Sequence, residues 1–392
     1  MTRRASTDVV VVGAGVVGAA TALGLARQGL RVALLEAHEP AAWSAGLPDL
    51  KVYALAPDAS RLLQDLGVWP AVRARRAHPY RRMRVWDAAG GGELCFDADA
   101  LGRTELGHIV EHGLLVDRLW DALSREPGIE RHCPSRLLGI EQDADGIRAE
   151  HEHGQLRARL LLGADGAASR VRDLSAIGTR EHDYGQRGLV AYVATQRPHE
   201  DTAWQRFLPT GPLAFLPCED GRCSIVWTLP ESEAARLLAA EPANFNLELT
   251  RAFDARLGDV ALASARAAFP LRRRLADPML QGRVALLGDA AHAVHPLAGQ
   301  GVNLGLRDVA DLLATTAAAQ AAGRAFDAPQ GLQRWARRRY SDNVMSAQAF
   351  ERINQVFSND APAATLLRGP MLGLAGKVPP LTRMLWRRAA GL

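Results

Sequence analysis

The stretch 8–36 leaves this chain little choice of fold. Asp8-Val9-Val10-Val11-Val12 is a continuous β-branched run of the kind that fills a central parallel strand buried on both faces. Gly13-Ala14-Gly15-Val16-Val17-Gly18 follows at once, residues 19–28 have helical character, Gly29 stops that helix, and 30–35 form a second strand ending at Glu36. The three glycines serve different ends. Gly13 permits a tight turn, Gly15 lets a pyrophosphate approach the backbone, and Gly18 lets the helix pack closely on the strand. The helix N-terminus, with Ala14 and Val17 beside it, then faces the phosphates. Glu36, 21 residues after Gly15, stands where an acid accepts hydrogen bonds from a ribose diol and repels a 2′-phosphate. The unit predicts a dinucleotide site for the ADP half of FAD or NAD.

Arg3 and Arg4 ahead of the apolar run 9–26 imitate a twin-arginine signal or a short membrane span. The glycine spacing argues against both, because cleavage or insertion would destroy the first folding unit, and a cytoplasmic chain is expected. Its 392 residues suffice for two domains. With 47 basic against 43 acidic side chains, the positive excess is too small to indicate nucleic acid. Nearly all of the basic residues are arginine; lysine occurs only at Lys51 and Lys377, which singles out Lys51. Cys95, Cys133, Cys218 and Cys223 form no CxxC pair or His-bearing cluster, so free thiols and no metal are expected.

No second GxGxxG occurs, so a single dinucleotide is held. Two further Gly/Asp segments each follow an apolar strand: Gly163-Ala164-Asp165-Gly166, and Gly288-Asp289-Ala290-Ala291-His292 continuing through His295-Pro296-Leu297-Ala298-Gly299-Gln300-Gly301-Val302-Asn303. The second delivers Asp289 to the C-terminal edge of a sheet, where its carboxylate suits a ribitol or ribose hydroxyl. Gly299 and Gly301 would let backbone N–H groups approach a planar ring at the start of a helix over 302–322, where the helix dipole stabilises charge on a reduced flavin. Between the segments, roughly 178–270, short strands with turn signals indicate an inserted mixed sheet, joined by a hairpin-like contribution from 83–109. Trp204, Phe207, Phe215 and Trp227 there are either walls of an aromatic pocket or ordinary core. A helix over 333–357 carries Arg334, Arg337, Arg338 and Arg339, read as a solvated basic face.

With these three motifs in hand, the chain resembles the group A flavin-dependent aromatic hydroxylases, the para-hydroxybenzoate hydroxylase family. Within it, Leu66-Gly67-Val68-Trp69, Met83-Arg84-Val85-Trp86-Asp87, Gly107-His108-Ile109-Val110-Glu111, Leu213-Ala214-Phe215-Leu216-Pro217 and the run from His295 to Gly305 are similar to the ubiquinone-biosynthesis hydroxylases, above all the 2-octaprenylphenol hydroxylase branch that oxidises ring position C5. The resemblance implies an α/β architecture: a Rossmann-like FAD-binding domain (1–177 and 271–322), an inserted mixed β-sheet substrate domain (178–270), and a C-terminal helical region (323–392).

Position by position it implies that Gly13, Ala14, Gly15, Val17, Gly18 and Glu36 hold the ADP moiety. Gly288 and Asp289 would hold the ribitol region, and the backbone through Pro296, Gly299, Gln300, Gly301, Val302 and Asn303 would touch the isoalloxazine. Asp165 belongs to a motif shared by FAD and transient NAD(P)H binding. The family usually has arginine where Lys51 stands and asparagine where His112 stands; lysine keeps the charge and loses the planar fork. The implied chemistry is NAD(P)H reduction of FAD, addition of O2 and oxygen transfer from a C4a-hydroperoxyflavin to a polyprenylphenol ring.

His292, His295 and Tyr53 are candidates for the base that draws off the phenol proton, by motif proximity alone. A hydroxylase of a small aromatic acid would share every motif, and so would a non-catalytic FAD-binding scaffold of a ubiquinone-biosynthesis complex. For 366–392, with its Leu, Met and Trp among arginines, two readings stand. It contacts a partner or the inner face of an anionic membrane, or it caps the protein's own core.

Overall fold

The computed structural model describes residues 7–46, 49–88, 92–294, 300–357, 386–387 and 390. Val9–Val12 is the strand from which the fold is built. All four valines are buried, and the strand lies between Leu160–Gly163 and Val32–Leu35 in a six-stranded sheet. Ile129–His132 closes one side and Val284–Leu286 followed by Leu280–Gln281 the other; only the last pairing is antiparallel. Parallel strands need covered faces. The helix Val16–Arg27 supplies one cover, packed so closely on the helix Gln300–Ala321 that a Cβ at Gly24 would stand 2.4 Å from the Leu313 Cδ1. The apolar run near the N-terminus is thus core strand and core helix. Among the described residues no helix is long and apolar enough to cross a membrane.

Three antiparallel or mixed sheets complete the α/β fold. Leu137–Gln142, Ile147–His151 and Gly154–Ala158 form a meander, and Val52–Leu55, Gly107–Glu111 and Ala77–Tyr80 form a second small sheet. The large mixed sheet has nine strands running from His292–Ala293 through Ala267–Ala276, Thr179–Thr195, Cys223–Pro230, Gly211–Pro217 and Thr202–Leu208 to Arg82–Asp87 and Glu93–Asp97, with Val260–Leu262 paired to Thr179–Thr195. Within the region read as short strands, one strand runs unbroken over Thr179–Thr195, because the charges along it are matched across the ladder. Arg274 bonds Glu181 at 2.5 Å and Arg272 bonds Asp183 at 3.0 Å. Trp204, Phe215 and Trp227 are core rather than pocket wall, clustered around Phe253, whose ring stacks on Phe215 at 3.7 Å. Phe207 belongs to a separate cluster with Trp386 and Ala390, which cap the edge strands through Val85, Leu94 and Phe96. Apart from Trp386, Arg387 and Ala390, 366–392 lies outside the described residues.

The expectation of a solvated arginine face holds for Arg334 and Arg337 and fails for Arg339. The helix Pro329–Phe357 leaves Arg339 only 5% exposed, where Nε donates to Asp308 Oδ1 at 2.8 Å. Asp308 itself has no exposure, and it also accepts from Gly288 N at 3.0 Å, His292 Nε2 at 2.6 Å and Asn343 Nδ2 at 3.5 Å. Burial alone would raise its pKa; His292 and Arg339 outweigh that and hold it below the usual carboxylate value. Replacing Asp308 with alanine leaves the buried Arg339 with only the partly exposed Asp342 as a charged partner and removes the acceptor of His292, so unfolding should be easier by about 3–5 kcal/mol. Asp311, whose pair Arg338 is exposed, should cost no more than about 1 kcal/mol when replaced in the same way. Denaturant unfolding of the two alanine variants checks the difference, and equal losses would remove Asp308 from its central position.

Candidate functional site

A cavity of about 1060 Å³ runs between the parallel sheet and the nine-stranded sheet. At its first end lies the glycine turn that follows the strand Val9–Val12. A Cβ on Gly18 would sit 1.8 Å from the Gly13 carbonyl oxygen, and Gly13, at φ +93°, would drive one to 2.5 Å from the Ala164 oxygen. Gly15 is different: a Cβ there meets nothing within 4 Å. Its open side faces the cavity, as does that of Gly301, so both leave room for a ligand rather than for protein. Glu36 lines the cavity, and its carboxylate accepts from Ala14 N at 2.7 Å and His38 N at 3.1 Å, which fixes it against the glycine turn. Trp120 Nε1 holds the Ala14 carbonyl at 2.9 Å from the other side.

Asp165 also lines the cavity, but its carboxylate is largely spent on the chain. It accepts from Ser169 Oγ at 2.6 Å and Val171 N at 3.0 Å, starting the short helix Arg170–Leu174. Arg172, buried beside it, donates to the carbonyls of Ala290 and Ala167, each at 3.1 Å, and so joins the two Gly/Asp segments. Asp289 is exposed on the cavity, and among the described residues nothing hydrogen-bonds its carboxylate. Gly288 at φ +56° packs on Val17, which brings the second segment against the first helix. Val302 lines the cavity. Asn303 does not: fully buried, it accepts from Ala56 N at 3.0 Å and donates to the Ala54 carbonyl at 2.9 Å, riveting the helix Gln300–Ala321 to the strand Val52–Leu55. His292 is likewise absent from the lining and committed to Asp308. His295, Pro296 and Gly299 lie outside the described residues, as does the side chain of Gln300.

In the lining of the same cavity Tyr53 and His112 meet, with Tyr53 Oη 2.9 Å from His112 Nδ1. Lys51 stands over the Tyr53 ring with Nζ 5.7 Å from its centroid. Asp49 accepts from Lys51 N and Gly113 N, each at 2.9 Å, and Glu111 secures the bend by accepting from Asp49 N at 3.1 Å. Burial, with Asp289 and Asp49, raises the Tyr53 phenol well above its ordinary value. Burial, with Lys51 and against Asp49, pushes His112 down to about 4. At neutral pH both groups are therefore uncharged, and His112 retains an acceptor nitrogen. The spacing of the sequence marked Tyr53 but gave no reason to join it to His112, 59 residues on.

The far end is walled by the nine-stranded sheet, through Val190, Ala214, Leu216, Val226, Phe269 and Leu271, with Gln205, Thr228 and Arg272 as its polar members.

A family model described as an FAD binding domain matches residues 6–339. The chain is 38% identical to the 3-demethoxyubiquinol 3-hydroxylase of Escherichia coli, over 98% of this chain and 99% of that one. It is 37% identical to a ubiquinone hydroxylase of Rhodospirillum rubrum, over 98% and 89%. This chain belongs to the FAD-dependent ubiquinone-biosynthesis hydroxylases. Its mitochondrial relative in Danio rerio, a ubiquinone biosynthesis monooxygenase, is 30% identical over 96% of this chain and 88% of that one. The fold is that of the p-nitrophenol 4-monooxygenase of Pseudomonas putida, with a TM-score of 0.79 at 21% identity over 98% of both chains. As a member of this family the protein is a flavin monooxygenase that uses FAD with NAD(P)H as co-substrate. The residues present fit that cofactor: open space at Gly15 and Gly301, a fixed acid at Glu36 and an unengaged carboxylate at Asp289.

Purified protein should be yellow with one FAD per chain. Gly15→Val should fold and lose the flavin, because its side chain enters the ligand's space, whereas Gly18→Ala should unfold, since its methyl meets the backbone. Flavin absorbance and far-ultraviolet dichroism separate the two; a flavin-loaded Gly15→Val would place the pyrophosphate elsewhere. Lys51→Arg should keep or strengthen flavin retention by restoring a planar fork, and a marked loss would show a site rebuilt around lysine.

Proposed function

We propose that this hydroxylase oxidises the ring of a polyprenylated phenol or hydroquinone of ubiquinone biosynthesis. The observation that carries this reading is the character of the far end of the cavity. Its wall is mostly aliphatic and aromatic, and Arg272 is the one arginine it carries among the described lining residues. Arg272 is bonded to Asp183, and Arg170 donates to the Leu137 carbonyl at 2.7 Å. Arg136 belongs to the opposite end, next to Ser135, whose N–H donates to the Glu36 carbonyl at 2.6 Å. Lys51 offers a single ammonium without the fork that grips a carboxylate in two places. An apolar ring with a prenyl tail suits such a wall better than a small aromatic acid does.

Gly13, Gly15, Gly18, Glu36, Asp165, Asp289, Gly301 and Val302 would hold FAD, which when bound and reduced by NAD(P)H supplies the activation of O2. The chain's own share is to place the ring, exclude water and manage one proton. Tyr53, protonated and facing the cavity, would accept a hydrogen bond from the phenolic O–H of the substrate while donating its own to His112 Nδ1, which stays neutral and orients the tyrosine hydroxyl. The more electron-rich ring is the better nucleophile toward the incoming oxygen. Tyr53→Phe should lower kcat about a hundredfold near neutral pH with flavin content unchanged. The loss should shrink as the pH nears about 10, where the substrate phenol ionises by itself. A loss independent of pH would take Tyr53 out of the proton path.

For the ring position, the similarity to the 3-demethoxyubiquinol 3-hydroxylase over nearly the whole of both chains supports a demethoxyubiquinol as substrate. C5 of a polyprenylphenol, the position implied by the shorter stretches of resemblance, is the second reading. Deleting the gene should lower ubiquinone during aerobic growth and accumulate demethoxyubiquinone. Accumulation of a polyprenylphenol would select C5, and normal ubiquinone with no second hydroxylase present would refute both. Proximity of the site to a membrane or to other biosynthetic proteins belongs to the same proposal, since the substrate is a lipid.

A further inference from the structure

A second, smaller cavity of about 260 Å³ lies among the helices Pro57–Asp65 and Trp69–Arg76 and the start of the strand Gly107–Glu111. It shares no lining residue with the flavin cavity, and its lining is ionic rather than apolar. Ser60 and Arg61 come from the first helix, Arg73 from the second, Arg103 and Glu105 from the approach to the strand, and His108 from the strand itself. Three guanidinium groups thus face one carboxylate. Among the described residues none of the three pairs with an acid, although many arginines of this chain do. Arg103 lies over the Trp386 ring at 4.9 Å and keeps Nε buried without a partner.

His108 supplies the independent observation. It is 2% exposed, and among the described residues neither ring nitrogen has a hydrogen-bond partner; Nε2 lies 3.5 Å from Glu105 Oε2. Buried polar atoms are ordinarily satisfied. Other buried side chains of the described residues also leave one atom unpaired, Trp204 Nε1 and His292 Nδ1 among them, but His108 leaves both; His199, also buried, bonds the Cys218 carbonyl through Nε2 at 3.0 Å and accepts from Asp201 N through Nδ1 at 3.1 Å. Burial, with Arg73 and His78, holds His108 down to about 4, so it meets the cavity as a neutral imidazole with one N–H to give. Trp69, edge-on at 4.8 Å, fixes the ring.

We propose that this second cavity binds a phosphate-class anion through Arg61, Arg73 and Arg103, with His108 and Ser60 as hydrogen-bond donors. Guanidinium forks match the oxygens of a tetrahedral oxyanion, and a neutral imidazole N–H adds a donor without demanding a counter-charge. The volume falls below the roughly 300–1000 Å³ of sites for larger organic ligands, which suits one phosphoryl group. Free phosphate and the phosphodiester of an anionic lipid headgroup offer the same chemistry. The site stands apart from the flavin and does not depend on which ring is hydroxylated.

FAD-loaded full-length protein should be titrated calorimetrically with inorganic phosphate at constant ionic strength. In parallel it should be sedimented with phosphatidylcholine vesicles with and without phosphatidylglycerol. Arg73→Ser and Arg61→Ser remove exposed members of the site, and Arg337→Ser removes an exposed arginine elsewhere as the charge control. Saturable phosphate binding weakened about tenfold by Arg73→Ser and unchanged by Arg337→Ser is expected. Phosphate binding without vesicle binding identifies a free anion as the ligand. Phosphatidylglycerol-dependent sedimentation lost in Arg73→Ser and competed by phosphate identifies a headgroup. Failure of both phosphate and anionic vesicles to bind, or equal weakening by Arg337→Ser, overturns the proposal.

Discussion

A carboxylate with no access to water must be met by donors held in place for it, and Asp308 is met by four: the Gly288 amide, His292, Arg339 and Asn343. These donors come from two separate parts of the chain. The amide and the histidine belong to the turn that presents Asp289 to the large cavity, whereas the arginine and the asparagine belong to the helix Pro329–Phe357. Asp308 itself lies on the helix Gln300–Ala321, whose first turn brings Gly301 and Val302 to that cavity. One buried charge therefore sets the spacing between the two elements that would touch the flavin. Arg172 repeats the device on a smaller scale by holding Ala167 and Ala290 together.

With that frame fixed, the two ends of the cavity acquire opposite character. The end under the parallel sheet exposes backbone and carboxylates, because glycine turns at the ends of parallel strands leave amides and acids uncovered. The end under the nine-stranded sheet exposes the apolar inward face of a half-buried sheet. Tyr53 sits on a small sheet that Asn303 ties to the helix Gln300–Ala321, and His112 follows that sheet's central strand. One cavity thereby has a polar end and an apolar end, as the proposed pairing of flavin with an apolar phenol requires.

The sequence made the cofactor end legible because its signals are local: a β-branched run, glycines at fixed offsets and an acid at a fixed distance. The rest depended on long-range pairing. Arg339 read as solvated because its partner is an acid 31 residues earlier on a different helix, and nothing in the helical period names that partner. An aspartate flanked by Leu306, Val309 and Leu312 was the available sign, since an acid on the buried side of a helix must be paired. Asn303 and His292 lie inside a motif associated with the flavin, yet both point into the protein rather than into the cavity. His112 stood out only as a departure from the family pattern, and its contact with Tyr53 required the antiparallel pairing of two distant strands.

The central claim is that this cavity couples flavin-activated dioxygen to the ring of an apolar phenol. The most direct measurement supplies the purified holoprotein with NAD(P)H, isotopically labelled dioxygen and a short-chain demethoxyubiquinol, and weighs the product. The account predicts a product carrying one labelled oxygen atom, formed in step with NAD(P)H oxidation. Oxidation of NAD(P)H that yields hydrogen peroxide alone, with an unlabelled ring and no hydroxylated product from any polyprenylphenol, would contradict it.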